Sequence, residues 1–161
     1  TVEQLERLGR VYRVGAVQPP YRMLRHNIED ELLDYCGING IGVVCYSPMQ
    51  KGLLSGTFTK DYLATLAVDD HRRQDPNFRG PAFERNLKLI EALQPIARQN
   101  GKTLAQLAIA WVLRRKEVTS AIVGARKPKQ IQETLAAGDW KLDSEMIAEI
   151  DRALEEHLKI K

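Results

Sequence analysis
The chain has 161 residues, 43% hydrophobic and 28% charged, which suits one globular domain with a real core. The net charge of +3 comes from 24 Lys and Arg scattered among 21 Asp and Glu, so no basic face for nucleic acid is expected. No window approaches the roughly 18 apolar residues of a membrane span.

Two cysteines, Cys36 and Cys45, supply neither a zinc site nor a disulfide framework and read as reduced core thiols of a cytoplasmic protein. His26, His71 and His157 are far apart, lack ligand spacing, and read as surface or loop residues. Thr1-Val2-Glu3-Gln4 is no signal peptide and contains no Met, so upstream sequence is expected, with any targeting signal in it.

In chain order, Thr1 and Gln4 form a capping box for a short helix ending near Gly9. Val14 to Gln18 is a buried strand stopped by Pro19-Pro20. Residues 28–38 read as a helix through Ile28, Leu32, Leu33 and Tyr35, with Asn39-Gly40 as its stop and Glu29, Asp30 and Glu31 as a solvated first turn. Ile41 to Tyr46 is the clearest strand, closed by Ser47-Pro48. Residues 49–82 read as a long irregular stretch, and loops of that length in a domain are usually functional.

A helix is expected over about 82–99, and a second opens on the box Thr103-Leu104-Ala105-Gln106. Ser120 to Val123 is a short strand. Lys127-Pro128 opens a helix through Ala137 stopped by Gly138, and a last amphipathic helix follows Asp143. Trp111 and Trp140 read as packing residues.

Alternating strands and helices with near-continuous apolar strands argue for an α/β protein with a parallel sheet. A closed (β/α)₈ barrel needs eight strands and about 250 residues. Three strands make either part of such a barrel or a small open sheet that must find a partner.

In such folds ligands bind at the carboxyl ends of the strands. Those ends are Gln18 before Pro19-Pro20-Tyr21, Tyr46-Ser47-Pro48, and Gly124-Ala125-Arg126-Lys127 before Pro128. The last combines a glycine, a helix N-terminus and two cations, which outlines a phosphate site or, equally, an ordinary turn with solvated cations. Tyr46 reads as core or rim or as a stacking platform, and Gln18 as a surface amide or a ligand contact. No GxGxxG follows a strand, Gly52 to Gly56 lacks the ending of a phosphate loop, and no hydrolase triad is suggested.

Taken together, Val17-Gln18-Pro19-Pro20-Tyr21, Gly40-Ile41-Gly42-Val43, Tyr46-Ser47-Pro48-Met49, Gly52-Leu53-Leu54-Ser55-Gly56, Ile122-Val123-Gly124-Ala125-Arg126 and Asp139-Trp140-Lys141-Leu142 resemble bacterial aldo-keto reductases over essentially the whole chain. The resemblance implies a partial TIM barrel spanning residues 1–161, with 14–18, 41–46 and 120–123 as strands six, seven and eight. It implies NADP(H) as cofactor and hydride transfer to an aldehyde or ketone. By position, Tyr46 would stack on the nicotinamide and Gln18 would hydrogen-bond its carboxamide. Ser47, Pro48, Met49, Gln50 and Gly52 would line the pyrophosphate, mostly through backbone.

On the same carry-over, Gly124 and Arg126 would hold the adenosine phosphate end, with Gln130, Glu133 and Thr134 reaching the 2′-phosphate and adenine. Arg72 would be the contact from the loop at 49–82. Thr134 stands where the family usually has Asn, and Thr57 where many members have Lys.

The family's catalytic Asp, Tyr, Lys and His belong to strands two to five, so no catalytic residue is assigned here. The chain is expected to be the cofactor-binding part of a reductase, inactive alone, that meets a carbonyl substrate only when completed by the other half. The alternatives are a non-catalytic NADP-binding or partner-binding protein of the same lineage and a remnant without function. Self-association or pairing with a complementary chain is expected through the exposed strands, and neither nucleic acid nor membrane is an expected partner.

Overall fold
The apolar run after Asn39-Gly40 is the middle strand of a three-stranded parallel sheet in the computed structural model, which describes residues 1–159. Strands β1 (Ala16–Val17), β2 (Gly42–Tyr46) and β3 (Val118–Ile122) lie side by side in that order. Ala16 pairs with Gly42 and Val17 with Val43. On the other side Val43 opposes Val118 and Tyr46 opposes Ile122, with a register shift between Val43 and Val44. Thr119 is the extra residue of that bulge. Its hydroxyl accepts the Val43 N–H at 3.3 Å, satisfying a donor the bulge would otherwise orphan.

The parallel α/β character is as expected, and all three strand ranges move, β2 starting at Gly42 where Ile41 was expected. β1 covers two residues instead of 14–18, because Pro19-Pro20 has no backbone N–H to extend a ladder. β3 begins at Val118 and ends at Ile122, where 120–123 was expected.

The helices are α1 (Val2–Gly9), α2 (Leu32–Ile38), α3 (Lys60–Thr65), α4 (Gly80–Gln99), α5 (Leu104–Leu113), α6 (Pro128–Leu135) and α7 (Ser144–Lys159). Both capping boxes form. The Thr1 hydroxyl accepts the Gln4 N–H, and the Thr103 hydroxyl accepts that of Gln106, whose side chain accepts the Thr103 N–H in return. The helix expected at 28–38 is instead a 3₁₀ turn at Asn27–Glu29 followed by α2. The stretch at 49–82 is more ordered than its composition suggests. It holds α3, capped by the Thr59 hydroxyl, and 3₁₀ segments at Gln50–Ser55, His71–Gln74 and Pro76–Phe78.

The chain divides into two compact units, Thr1–Pro48 with Ile109–Trp140, and Met49–Ala108 with Lys141–Lys161. In the first, Val43 and Cys45 point to the covered face of the sheet and are fully buried, as are Tyr21, Leu33 and Cys36. Burial pushes the Cys45 thiol up to about 11, in keeping with an inert core thiol. In the second, α4 packs on α7, the Phe78 ring meets those of Phe58 and Phe83, and Leu53 and Leu54 are fully buried. Fully burying one such side chain contributes roughly 1.5–3 kcal/mol.

One surface reading is corrected in the first unit. Glu29 is not a solvated turn residue. It accepts the Tyr21 hydroxyl, both oxygens accept from Arg114 (3.0 and 3.1 Å), and Oε2 also accepts from Arg115 (3.2 Å). Burial acts to raise its carboxyl, but the Tyr21 hydrogen bond and the two guanidiniums outweigh it, so the acid is held below its ordinary range. Arg114 lies over the Trp111 ring at 3.8 Å, and Trp111 meets Tyr21 at 5.3 Å. In the second unit His157 is half-buried, not a surface residue, and burial lowers its pKa.

Candidate functional site
Parallel strands deliver their carboxyl ends to one edge of a sheet, and that edge carries Gln18, Tyr46 and, two residues past Ile122, Gly124. Tyr46 donates its N–H to Pro19 O at 3.1 Å and accepts the Tyr21 N–H at 3.3 Å, which laces the chain after Gln18 to the end of β2. Side chains alternate along β2, so Tyr46 and Val44 stand on the face opposite Val43 and Cys45, together with Ile122. Tyr46 is 40% exposed and Ile122 44%, and Gln18 is exposed beside them. The structure thus brings these expected positions together within the first unit.

The backbone turns left-handed immediately afterwards. Ser47 has φ 56°, and within the second unit Gln50, Lys51 and Gly52 have φ 46°, 55° and 92°. For non-glycine residues such backbone costs on the order of 1–3 kcal/mol each and collects at ligand clamps and active sites. Gln50 is 2% exposed and Pro48 is buried. Met49 is half-buried. The Lys51 ammonium pairs with Asp75 at 2.7 Å, tying this turn to the Pro76–Phe78 segment.

The amino end of α6 has a feature that sequence placed elsewhere. Gln130, expected with Glu133 and Thr134 to reach the 2′-phosphate and adenine, accepts with its Oε1 the N–H groups of Arg126 (2.8 Å) and Lys127 (3.1 Å) and so caps its own helix. The Thr134 hydroxyl donates to Gln130 O at 2.8 Å, and Glu133 is half-buried on the same helix. Arg126 is exposed and forms no side-chain hydrogen bond or ion pair among the described residues. Gly124 has no left-handed backbone, and a Cβ built there would meet no atom within 4 Å among the described residues. Nothing among the described residues demands glycine at that position. The room beside its backbone is open to a ligand.

Arg72, in the second unit, is already engaged. Its guanidinium grips both oxygens of Asp70 and lies 5.3 Å from the Phe58 ring centroid, with the side chain 13% exposed. Asp70 is held far below the usual carboxylate range, first by the Arg72 side chain and then by the Arg72 N–H. The Asp-x-Arg spacing was the signal for this pair, whereas Lys51 and Asp75 are too far apart in sequence to have announced theirs. Thr57 hydrogen-bonds Ser55 at 2.9 Å.

Among the described residues no group of three or more His, Cys, Asp or Glu is placed to hold a metal, and no helix is long and apolar enough to cross a membrane. No tyrosine hydroxyl among them is hydrogen-bonded to a lysine. Tyr21 is fully buried, and burial together with its bond to Glu29 raises its pKa against the pull of Arg114.

The chain is 33% identical over 156 residues to aldo-keto reductase YhdN of Bacillus subtilis, covering 96% of this chain and 46% of that protein. It is 34% identical over 142 residues to an NADH-specific methylglyoxal reductase of Escherichia coli K12, covering 86% of this chain and 42% of that protein. The solved structure of glycerol dehydrogenase AKR11B4 from Gluconobacter oxydans superposes with a TM-score of 0.88 at 31% identity, over 97% of this chain and 47% of that one. The chain therefore spans about half the length of the relatives it matches. The profile of the Aldo/keto reductase family matches residues 1–155, and the chain belongs to that family.

Proposed function
We propose that this chain is the cofactor-holding part of an NADP(H)-dependent carbonyl oxidoreductase, with β1, β2 and β3 as strands six, seven and eight of the family barrel. The observation that carries the reading is the shared strand-end edge of Gln18, Tyr46 and Gly124, with a glycine that nothing among the described residues requires. An exposed aromatic ring, an exposed amide, an open glycine backbone and an uncommitted guanidinium at a helix N-terminus fit the flat, amide-bearing and phosphorylated parts of a nicotinamide dinucleotide.

Tyr46 would carry the nicotinamide ring, Gln18 its carboxamide, and the backbone of Ser47 and Pro48 the pyrophosphate. Gly124 and Arg126 would take the adenosine phosphate, with Glu133 and Thr134 nearby on α6. When bound, such a cofactor supplies the hydride. The residues of this chain bind and orient it.

One reading of an individual residue changes: Gln130 serves the site by fixing the Arg126–Lys127 backbone. The preference for NADP(H) over NADH rests on Arg126, the uncommitted cation at the start of α6. Arg126→Ala should weaken NADPH by about tenfold, or 1.4 kcal/mol, and leave NADH within twofold in parallel fluorescence titrations. Equal losses for the two cofactors would remove the 2′-phosphate from this end of the site.

A further inference from the structure
The end of the sheet opposite the strand-end edge holds an open cavity of about 310 Å³, inside the first unit. It lies where the chain leaves α1 and enters β1, and where it enters β2 at Ile41. Leu5, Val14 and Ile41 give it an apolar wall, and Tyr12 and Tyr35 contribute rings. Arg10 and Arg13 complete it, and no carboxylate is among its lining residues. Arg10 and Arg13 are exposed, and neither guanidinium forms an ion pair or side-chain hydrogen bond among the described residues. Tyr12 is 77% exposed, an unusual setting for a large ring that has nothing to cover it.

An apolar wall, two aromatic rings and two uncompensated guanidiniums around one small cavity define a ligand by complementarity. Arginine recognises carboxylates through a planar fork, and its plane and the tyrosine rings favour a flat partner. Unneutralised positive charge over a low-dielectric wall raises the local concentration of anions. We propose that this cavity is a binding site for a small aromatic carboxylate, separate from the strand-end edge and independent of whether that edge holds a nicotinamide cofactor.

The test is calorimetric titration of the 161-residue chain with benzoate, with benzyl alcohol as the uncharged analogue and inorganic phosphate as an anion without a ring. Amide and tyrosine NMR shifts locate the site. Benzoate should saturate at millimolar concentration or below, shifting Tyr12 and Tyr35 signals and leaving Tyr46 unmoved. Arg10→Gln with Arg13→Gln should weaken benzoate at least about tenfold and leave benzyl alcohol unchanged. Tyr12→Ala, at an exposed position that folding does not need, should weaken both ring-bearing probes.

Absence of saturation by about 20 mM benzoate, above the millimolar range of very weak complexes, overturns the proposal. So does undiminished binding in the double arginine variant, or a benzoate response centred on Tyr46. Phosphate binding as tightly as benzoate would make this a site for bare anions and overturn the assignment of an aromatic ligand.

Discussion

Replacing Glu29 by Gln tests whether the half-buried network of the first unit is built on charge. The carboxylate receives one hydroxyl and three guanidinium hydrogen bonds, from Tyr21, Arg114 and Arg115. Hydrogen bonds to a charged group contribute roughly 1.5–3 kcal/mol, and removing one partner of a fully buried ion pair costs about 3–5 kcal/mol. Glu29 is 20% exposed and the arginines 13% and 27%, so solvent screens part of that. Arg115 also retains Glu117 and Asp34, while Arg114 keeps only uncharged partners, the Tyr21 hydroxyl, Trp111 O and the Trp111 ring. Glu29→Gln should therefore cost about 2 kcal/mol at pH 7, or about 6 °C in Tm for a chain of this size.

The pH dependence follows from the depressed carboxyl of Glu29. A group whose pKa falls on folding stabilises fully above its unfolded value, near 4.3, and loses that contribution as pH falls through the folded value. Urea unfolding of wild type and variant between pH 7 and pH 3 should show the gap steady above pH 5 and closing below it. A variant as stable as wild type at pH 7, or a gap that does not close in acid, refutes the reasoning.

Two further outcomes follow from the same structure. The isolated chain should not reduce simple aldehydes with NADPH, since its one fully buried tyrosine is locked to Glu29 and no hydroxyl–lysine pair forms among the described residues; turnover abolished by Tyr46→Ala would contradict this. β1 and β3 each pair on one side only, and Tyr46 and Ile122 expose an apolar face, so light scattering should show self-association at micromolar concentration. A clean monomer would count against open edges as an association surface.

What sequence could show depended on the range of the interaction. Ile41 to Tyr46 was legible as a strand because an unbroken apolar run buried on one face and flanked by Asn-Gly and Ser-Pro has few other fates. The boxes at Thr1 and Thr103 close within three residues and were legible for that reason. Glu29 was misread because three consecutive acids look like a solvated turn, and the guanidinium that holds it lies 85 positions away. The order in 49–82 was hidden by its glycines and prolines, although Thr59 with Asp61 was an available start signal for α3.

At the candidate site, the edge formed by Gln18, Tyr46 and Gly124 followed from parallel topology alone. The fates of Gln130 and Arg72 depended on short-range partners that sequence did display. Gln130 sits three residues past the residue before the helix, and Arg72 sits two past Asp70, yet both were assigned outward to a ligand.

The central claim is that the strand-end edge grips a nicotinamide dinucleotide at a glycine that nothing among the described residues demands. NADPH fluorescence titration of the wild-type chain beside Gly124→Val, with thermal unfolding of both, addresses it directly. Wild type should bind saturably, and the variant should bind at least about tenfold more weakly while unfolding within about 0.5 kcal/mol of wild type. Superimposable titrations of two equally stable proteins, or no saturable signal from wild type, would contradict it.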